Sequence, residues 1–130
     1  MQLPRRLILV PMTLFALQVA PLAAQEASPT FEDDVTPIFA GNCIACHAEA
    51  AQSGLDLRTV ESILKGGMSG PAVVPGKSSE SLLMMKVESG DMPPGLSRLA
   101  DTQIGIIRDW IDKTLGAKEE LKASAAGAVP

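Results

Sequence analysis

Apolar positions along this chain recur at helical spacing in a few short stretches. Nowhere do they alternate long enough to build a sheet. The clearest stretch comes late: Ile104, Ile107, Trp110, Ile111 and Leu115 recur at steps of three and four, predicting an amphipathic helix over 101–115 that Gly116 ends. Gly105 lies inside it and weakens it by about 1 kcal/mol relative to Ala, which suggests close contact with a neighbouring helix. An earlier pattern, Val35, Ile38 and Phe39, predicts one apolar face of a helix over 31–43. Asp33 and Asp34 suit its opening turn, where negative charge meets the positive end of the dipole. Pro37 either delays the start of that helix or bends it.

Between these two, the chain is punctuated. Residues 48–58 read as loop, with Leu55 and Leu57 alternating with Asp56 and Arg58. Thr59 can cap a short helix over Val60–Lys65, stopped by Gly66 and Gly67. Residues 68–76 are too rich in Gly and Pro for helix or central strand. Ser78 or Ser79 is placed to cap a third helix running to about Glu88, with Leu82, Leu83 and Val87 available for burial and Gly90 and Asp91 ending it. A second loop follows, Met92-Pro93-Pro94-Gly95-Leu96. The expected class is all-α, with three to four short helices.

The ends stand apart from this pattern. Arg5 and Arg6, an apolar run over 7–19 interrupted by Pro11, and small residues Ala20, Ala23 and Ala24 read as a secretory signal peptide over 1–24. The run falls short of the about 20 residues that a membrane span needs. The paired arginines could signal twin-arginine export, but an ordinary basic start accounts for them. Residues 25–30 are a polar lead-in, and 118–130, small and charged, read as a flexible tail.

Length and composition add two constraints. A chain of 130 residues suits a single domain, and 46% hydrophobic residues allow a packed core. Aromatics reach only 3%, with no Tyr, so something other than aromatic side chains must fill part of that core. A bound macrocycle would do so. Loss of residues 1–24 removes two of the eleven basic residues and leaves nine against fifteen acidic ones, a mature charge of −6. Such a balance argues against nucleic acid. It points to a partner with a positively charged docking face and to association that slows as salt rises.

The chain has two Cys and one His, all within Cys43-Ile44-Ala45-Cys46-His47. In an exported protein two cysteines ordinarily suggest a disulfide, and their spacing also fits a thioredoxin-type redox pair. Zinc is a poorer fit, since a structural site wants four ligands. Cys-x-x-Cys-His is the haem attachment signature. Each thiol can add to one vinyl group, and the adjacent imidazole, His47, is carried under the iron as proximal ligand. No second His exists, so bis-His ligation within one chain is excluded. Of the methionines beyond residue 24, Met84 and Met85 fall on the expected third helix, where a core or surface role accounts for them. Met68 sits in a Gly-rich loop. Met92, late in the chain and stiffened by Pro93 and Pro94, is best placed to close over the haem as distal ligand, with Met68 next.

Taken in order, these motifs resemble the class I cytochrome c fold and, within it, the planctomycete-type cytochrome c domain. The resemblance covers 31–117. It rests on Val35-Thr36-Pro37-Ile38-Phe39, the run from Cys43 to His47, Gly54-Leu55-Asp56-Leu57, the stretch from Gly66 to Gly76, Ser81-Leu82-Leu83, Met92-Pro93-Pro94 and Trp110-Ile111. It implies one covalent haem c with His47 and Met92 as axial ligands, and first and last helices crossing near the haem edge, with Phe39 against Trp110 or its neighbours. Two positions depart from the family pattern. Ala48 stands where Gly commonly follows the haem His, and the charges of the Leu-Arg-Leu-Asp segment are exchanged here as Asp56 and Arg58. Arg58 either replaces a family propionate contact or is a solvated surface charge. The resemblance implies a periplasmic single-electron carrier rather than an enzyme. The competing readings are a haem-based gas sensor with a displaceable Met92, a peroxidase, and a haem-free thiol-disulfide oxidoreductase.

Overall fold

The computed structural model describes residues 27–95 and 98–127, so the expected signal peptide lies outside the described residues. Thr30 opens the first helix. Its side chain accepts from the Asp33 N–H at 3.1 Å, and its own N–H donates to the Asp34 carboxylate at 2.7 Å. A widened π turn, Phe31–Val35, then runs without a break into the α-helix α1, Thr36–Asn42. Pro37 supplies the reason for the widening. It has no N–H to give to the preceding turn and its ring crowds the carbonyl four residues back. The Thr36 hydroxyl bonds back to the Phe31 carbonyl at 2.8 Å across that turn. The proline thus does not delay the helix, which starts ahead of it at Phe31.

Helix α2, Val60–Lys65, forms as the sequence predicts, with Thr59 and Ser62 exchanging bonds in a capping box and Gly66, at φ 75°, ending it. Helix α3, Leu82–Ser89, starts later than expected, at the Ser81 cap. Ser78 does not cap it. It belongs to a separate 3₁₀ turn, Ser78–Glu80, and gives its N–H and its hydroxyl to the two carboxylate oxygens of Asp112, each at 2.7 Å. Ser81 is equally committed to the loop: its hydroxyl accepts from Val74 and donates to the Lys77 carbonyl. On α3, Leu83, Met84 and Val87 are buried, whereas Met85 faces solvent.

The last helix begins as α4, Asp101–Asp109, widens over Trp110–Leu115, and continues as α5, Gly116–Gly127. Here the expected end at Gly116 is corrected. Gly116 holds ordinary helical angles, φ −59° and ψ −49°, and helix formers Ala117, Lys118, Glu119, Glu120 and Leu121 carry the helix onward. The role of Gly116 is proximity: a Cβ there would stand 2.9 Å from the Gly76 Cα. The Gly76 N–H donates at 2.9 Å to the Ile111 carbonyl, inside the widened segment. Gly105 is corrected in the opposite sense, since a Cβ there would meet nothing within 4 Å outside its own helix.

Ile104, Ile107, Trp110, Ile111 and Leu115 form the buried stripe that periodicity predicts. They pack with Phe31, Val35, Ile38 and Phe39 in one core, to which α3 adds Leu83, Met84 and Val87. Phe31 lies between the other two aromatics, 5.4 Å from the Trp110 ring and 6.3 Å from Phe39 in an edge contact. Phe31 thus links Phe39 to Trp110 where the first and last helices pack, and Phe39 shares that core with Trp110 and its neighbours Ile107 and Ile111. Apart from Phe15, these three are all the aromatics the chain has. The described residues contain no strand, only an isolated bridge between Gly67 and Gly70. The fold is all-α.

Candidate functional site

The end of α1 sets the Cys-x-x-Cys-His turn. The Phe39 carbonyl accepts from both Cys43 and Ile44, at 2.8 and 3.0 Å, and the Cys43 carbonyl accepts from Cys46 and His47, at 3.1 and 2.9 Å. This helix-like winding puts residues three and four apart on a common side, so Cys43, Cys46 and His47 face one space. The turn is then strapped from outside. Gln52 donates to the Cys46 carbonyl at 3.1 Å and Leu57 to the His47 carbonyl at 2.8 Å. The 48–58 segment, a plain loop by its sequence, is thus the brace of the motif.

That space is a cavity of about 320 Å³, within the about 300–1,000 Å³ common for cofactor pockets. Its lining is largely apolar. Phe39, Leu55, Leu57, Ala72, Leu82, Leu83 and Val87 contribute, with Cys43, Cys46 and His47 in one stretch and Met92 and Pro93 in another. Phe39 has two roles here, since its ring belongs to the aromatic cluster and the residue also lines the cavity. Met92 is 37% exposed and lines the cavity. Met68 is 86% exposed and does not line it, although its neighbours Gly67 and Ser69 do. The two candidate methionines are therefore not equivalent.

Gly66 and Gly67 are needed to build this wall. A Cβ on Gly66 would lie 1.9 Å from the Gly70 oxygen, and one on Gly67 would lie 2.5 Å from the Ser53 oxygen. No side chain fits either place. The tight turn from Gly67 to Gly70 can then press against the brace, where Met68 donates to the Ser53 carbonyl at 2.8 Å.

Both cysteines are free thiols. Burial, reinforced by the neighbouring Cys46, pushes the Cys43 thiol up to about 11. A dithiol oxidoreductase uses the reverse, a thiolate stabilised at neutral pH. Among the described residues no group of three or more His, Cys, Asp or Glu side chains is placed to hold a metal ion, which leaves the zinc reading without a ligand set. His47 Nδ1 is buried and has no hydrogen-bond partner. Leaving such an atom unpaired costs about 1–3 kcal/mol, so hydrogen bonding does not account for where the ring sits. Two free thiols, an imidazole and a thioether on one apolar cavity fit the demands of a c-type haem.

Arg58 sits elsewhere. Its guanidinium forks onto Asp56 at 2.8–3.2 Å and lies 3.8 Å from Glu49, and it does not line the cavity. The pair holds the Asp56 carboxyl below its usual range through the Arg58 hydrogen bonds. Of the two roles open to Arg58, the surface charge matches its position. Sequence reasoning passed over Lys86, which lines the cavity six residues before Met92. Its only signal was its place on α3.

A helical domain that turns a Cys-x-x-Cys-His run onto an apolar cavity has the make-up of a small c-type cytochrome. Residues 43–95 match the family described as Planctomycete cytochrome C, which supports a planctomycete-type cytochrome c domain over that stretch. The match opens at the first haem-turn cysteine and closes just past Met92-Pro93-Pro94. No curated protein and no solved structure matches the chain. Domains of this family serve haem-based electron transfer rather than catalysis and are typically exported. Among the described residues no helix is long and apolar enough to cross a membrane.

Proposed function

We propose that this chain is a periplasmic cytochrome with a single haem c that carries one electron at a time between redox partners. Cys43 and Cys46 form the thioether links, His47 is the proximal iron ligand and Met92 the distal one. The observation that carries this reading is that all four side chains line one apolar cavity while Met68 lies outside it. When bound, the haem supplies a one-electron iron couple whose potential Met/His ligation raises. The protein's part is restraint. The braced turn holds His47, the α3–Met92 segment holds the thioether, and Leu55, Leu57, Leu83 and Val87 keep water from the space between. His47 and Met92 would both be committed to the iron, which supports electron transfer over substrate binding.

The acidic balance of the chain supports a partner with a positive docking face, met through a small and transient interface. The basic, apolar and small-residue order of the first 24 residues supports export. Intact mass of the mature protein, made in a host competent for haem attachment, tests this together with its optical spectrum with and without reductant. The expected result is a mass increased by one haem, cleavage near Ala24, and reversible one-electron bleaching of an iron–thioether absorption. A colourless product at polypeptide mass would refute it.

A further inference from the structure

Among the described residues that line the cavity, Lys86 is the one with a charged side chain. Its ammonium does not point to a free anion site: Nζ lies 3.0 Å from Oδ2 of Asp91, the residue directly before Met92. Its backbone carbonyl, one turn from the end of α3, accepts the Met92 N–H at 3.0 Å. The short return between them is closed as well. Gly90 adopts a left-handed conformation at φ 79°, Ser89 Oγ donates to the same Lys86 carbonyl, and the Asp91 N–H donates to Ser89 Oγ. Two separate groups of one residue therefore grip the two residues that end at the thioether.

We propose that Lys86 is the positioning residue for Met92: its carbonyl fixes the backbone of the ligand, and its ion pair with Asp91 keeps the return from swinging off the cavity. The proposal rests on the His47/Met92 reading above and adds the part that keeps the distal side closed. The carbonyl contact belongs to the backbone and survives any substitution. The ion pair is the adjustable half. Both its side chains are about half exposed, 49% for Lys86 and 59% for Asp91, so its contribution is small and screened by salt. Its effect should therefore be felt as a shift in how often Met92 leaves the iron, not as loss of the fold.

The test measures carbon monoxide binding to the reduced holoprotein, the iron–thioether absorption of the oxidised form, and the denaturation midpoint. The variants are Lys86→Gln, Asp91→Ala, the double variant, Lys86→Arg and Met92→Ala. Lys86→Gln and Asp91→Ala should each speed carbon monoxide binding about twofold to fivefold, the range an exposed ion pair supports. The double variant should go no further than either alone, Lys86→Arg should keep the parent rate, and added salt should quicken the parent but not the variants that lack the ion pair. Equal rates in parent and single variants, or effects that add in the double variant, would overturn the positioning role. A lowered denaturation midpoint with unchanged binding would overturn it too, because it would mark a merely structural pair. Met92→Ala separates the two layers. If it leaves the absorption intact, the ligand reading fails and the positioning role with it. If it abolishes the absorption while the Lys86 and Asp91 variants behave as parent, only the positioning role fails.

Discussion

Gly76 and Gly116 touch backbone to backbone, so that a methyl group on Gly116 would stand 2.9 Å from the Gly76 Cα. Gly105, one helix earlier, has open space where its Cβ would be. The two helical glycines should therefore respond to Ala in opposite directions. Gly116→Ala must push a loop off the helix and should destabilise the holoprotein by about 1–3 kcal/mol. Gly105→Ala should stabilise it by up to about 1 kcal/mol through helix propensity alone. Urea denaturation of both variants checks the sign as well as the size.

Phe31 is the aromatic that joins the other two, with contacts to both Phe39 and Trp110. Replacing it with Ala removes both contacts and opens a cavity, at a cost of about 3–5 kcal/mol. Phe31→Leu keeps most of the volume and should cost distinctly less. Thermal melts of the two variants, followed by circular dichroism, would show whether they separate as expected.

Asp112 receives two bonds from Ser78, one from its N–H and one from its hydroxyl. Asp112→Ala takes away both acceptors and leaves a part-buried N–H unpaired, so a loss of about 1.5–3 kcal/mol is expected. Ser78→Ala keeps the backbone bond to the carboxylate and should lose about 0.5–1.5 kcal/mol. Equal losses in a denaturant titration would show that the backbone bond contributes nothing.

Met68 is the second thioether near the cavity, and its 86% exposure sets it apart from Met92. Met68→Ala should leave the visible spectrum and the carbon monoxide rate of the reduced protein unchanged. Loss of the iron–thioether absorption in this variant would assign the distal position to Met68 and displace Met92.

Much of this fold can be read from the chain wherever the controlling contacts are local. Helix α2 is legible because Thr59 and Ser62, three residues apart, cap it by themselves. The buried stripe of the last helix is legible because period alone defines it. Ser78 is misread as a cap because its partner Asp112 is 34 residues away, and a serine before a helix looks the same whichever acceptor it finds. Gly116 is misread as a stop because a glycine that ends a helix and one that admits a neighbour leave the same letter in the sequence. At the site, the spacing of Cys43, Cys46 and His47 announces its own chemistry, and Met92 is singled out by its prolines. Lys86 is not legible, since a lysine on a short helix is usually a solvated charge and only the fold places it at the cavity.

The stretch recognisable by family, 43–95, contains neither Phe31 nor Trp110, whose rings lie 5.4 Å apart beneath it. What marks the module to a reader of sequences and what lets it stand are thus different parts of the chain. A graft that moved only the recognisable stretch into another protein would carry the haem-binding letters without their foundation. A working transplant has to be cut wider, ahead of Thr30 and beyond Leu115, so that both flanking helices travel with the motif.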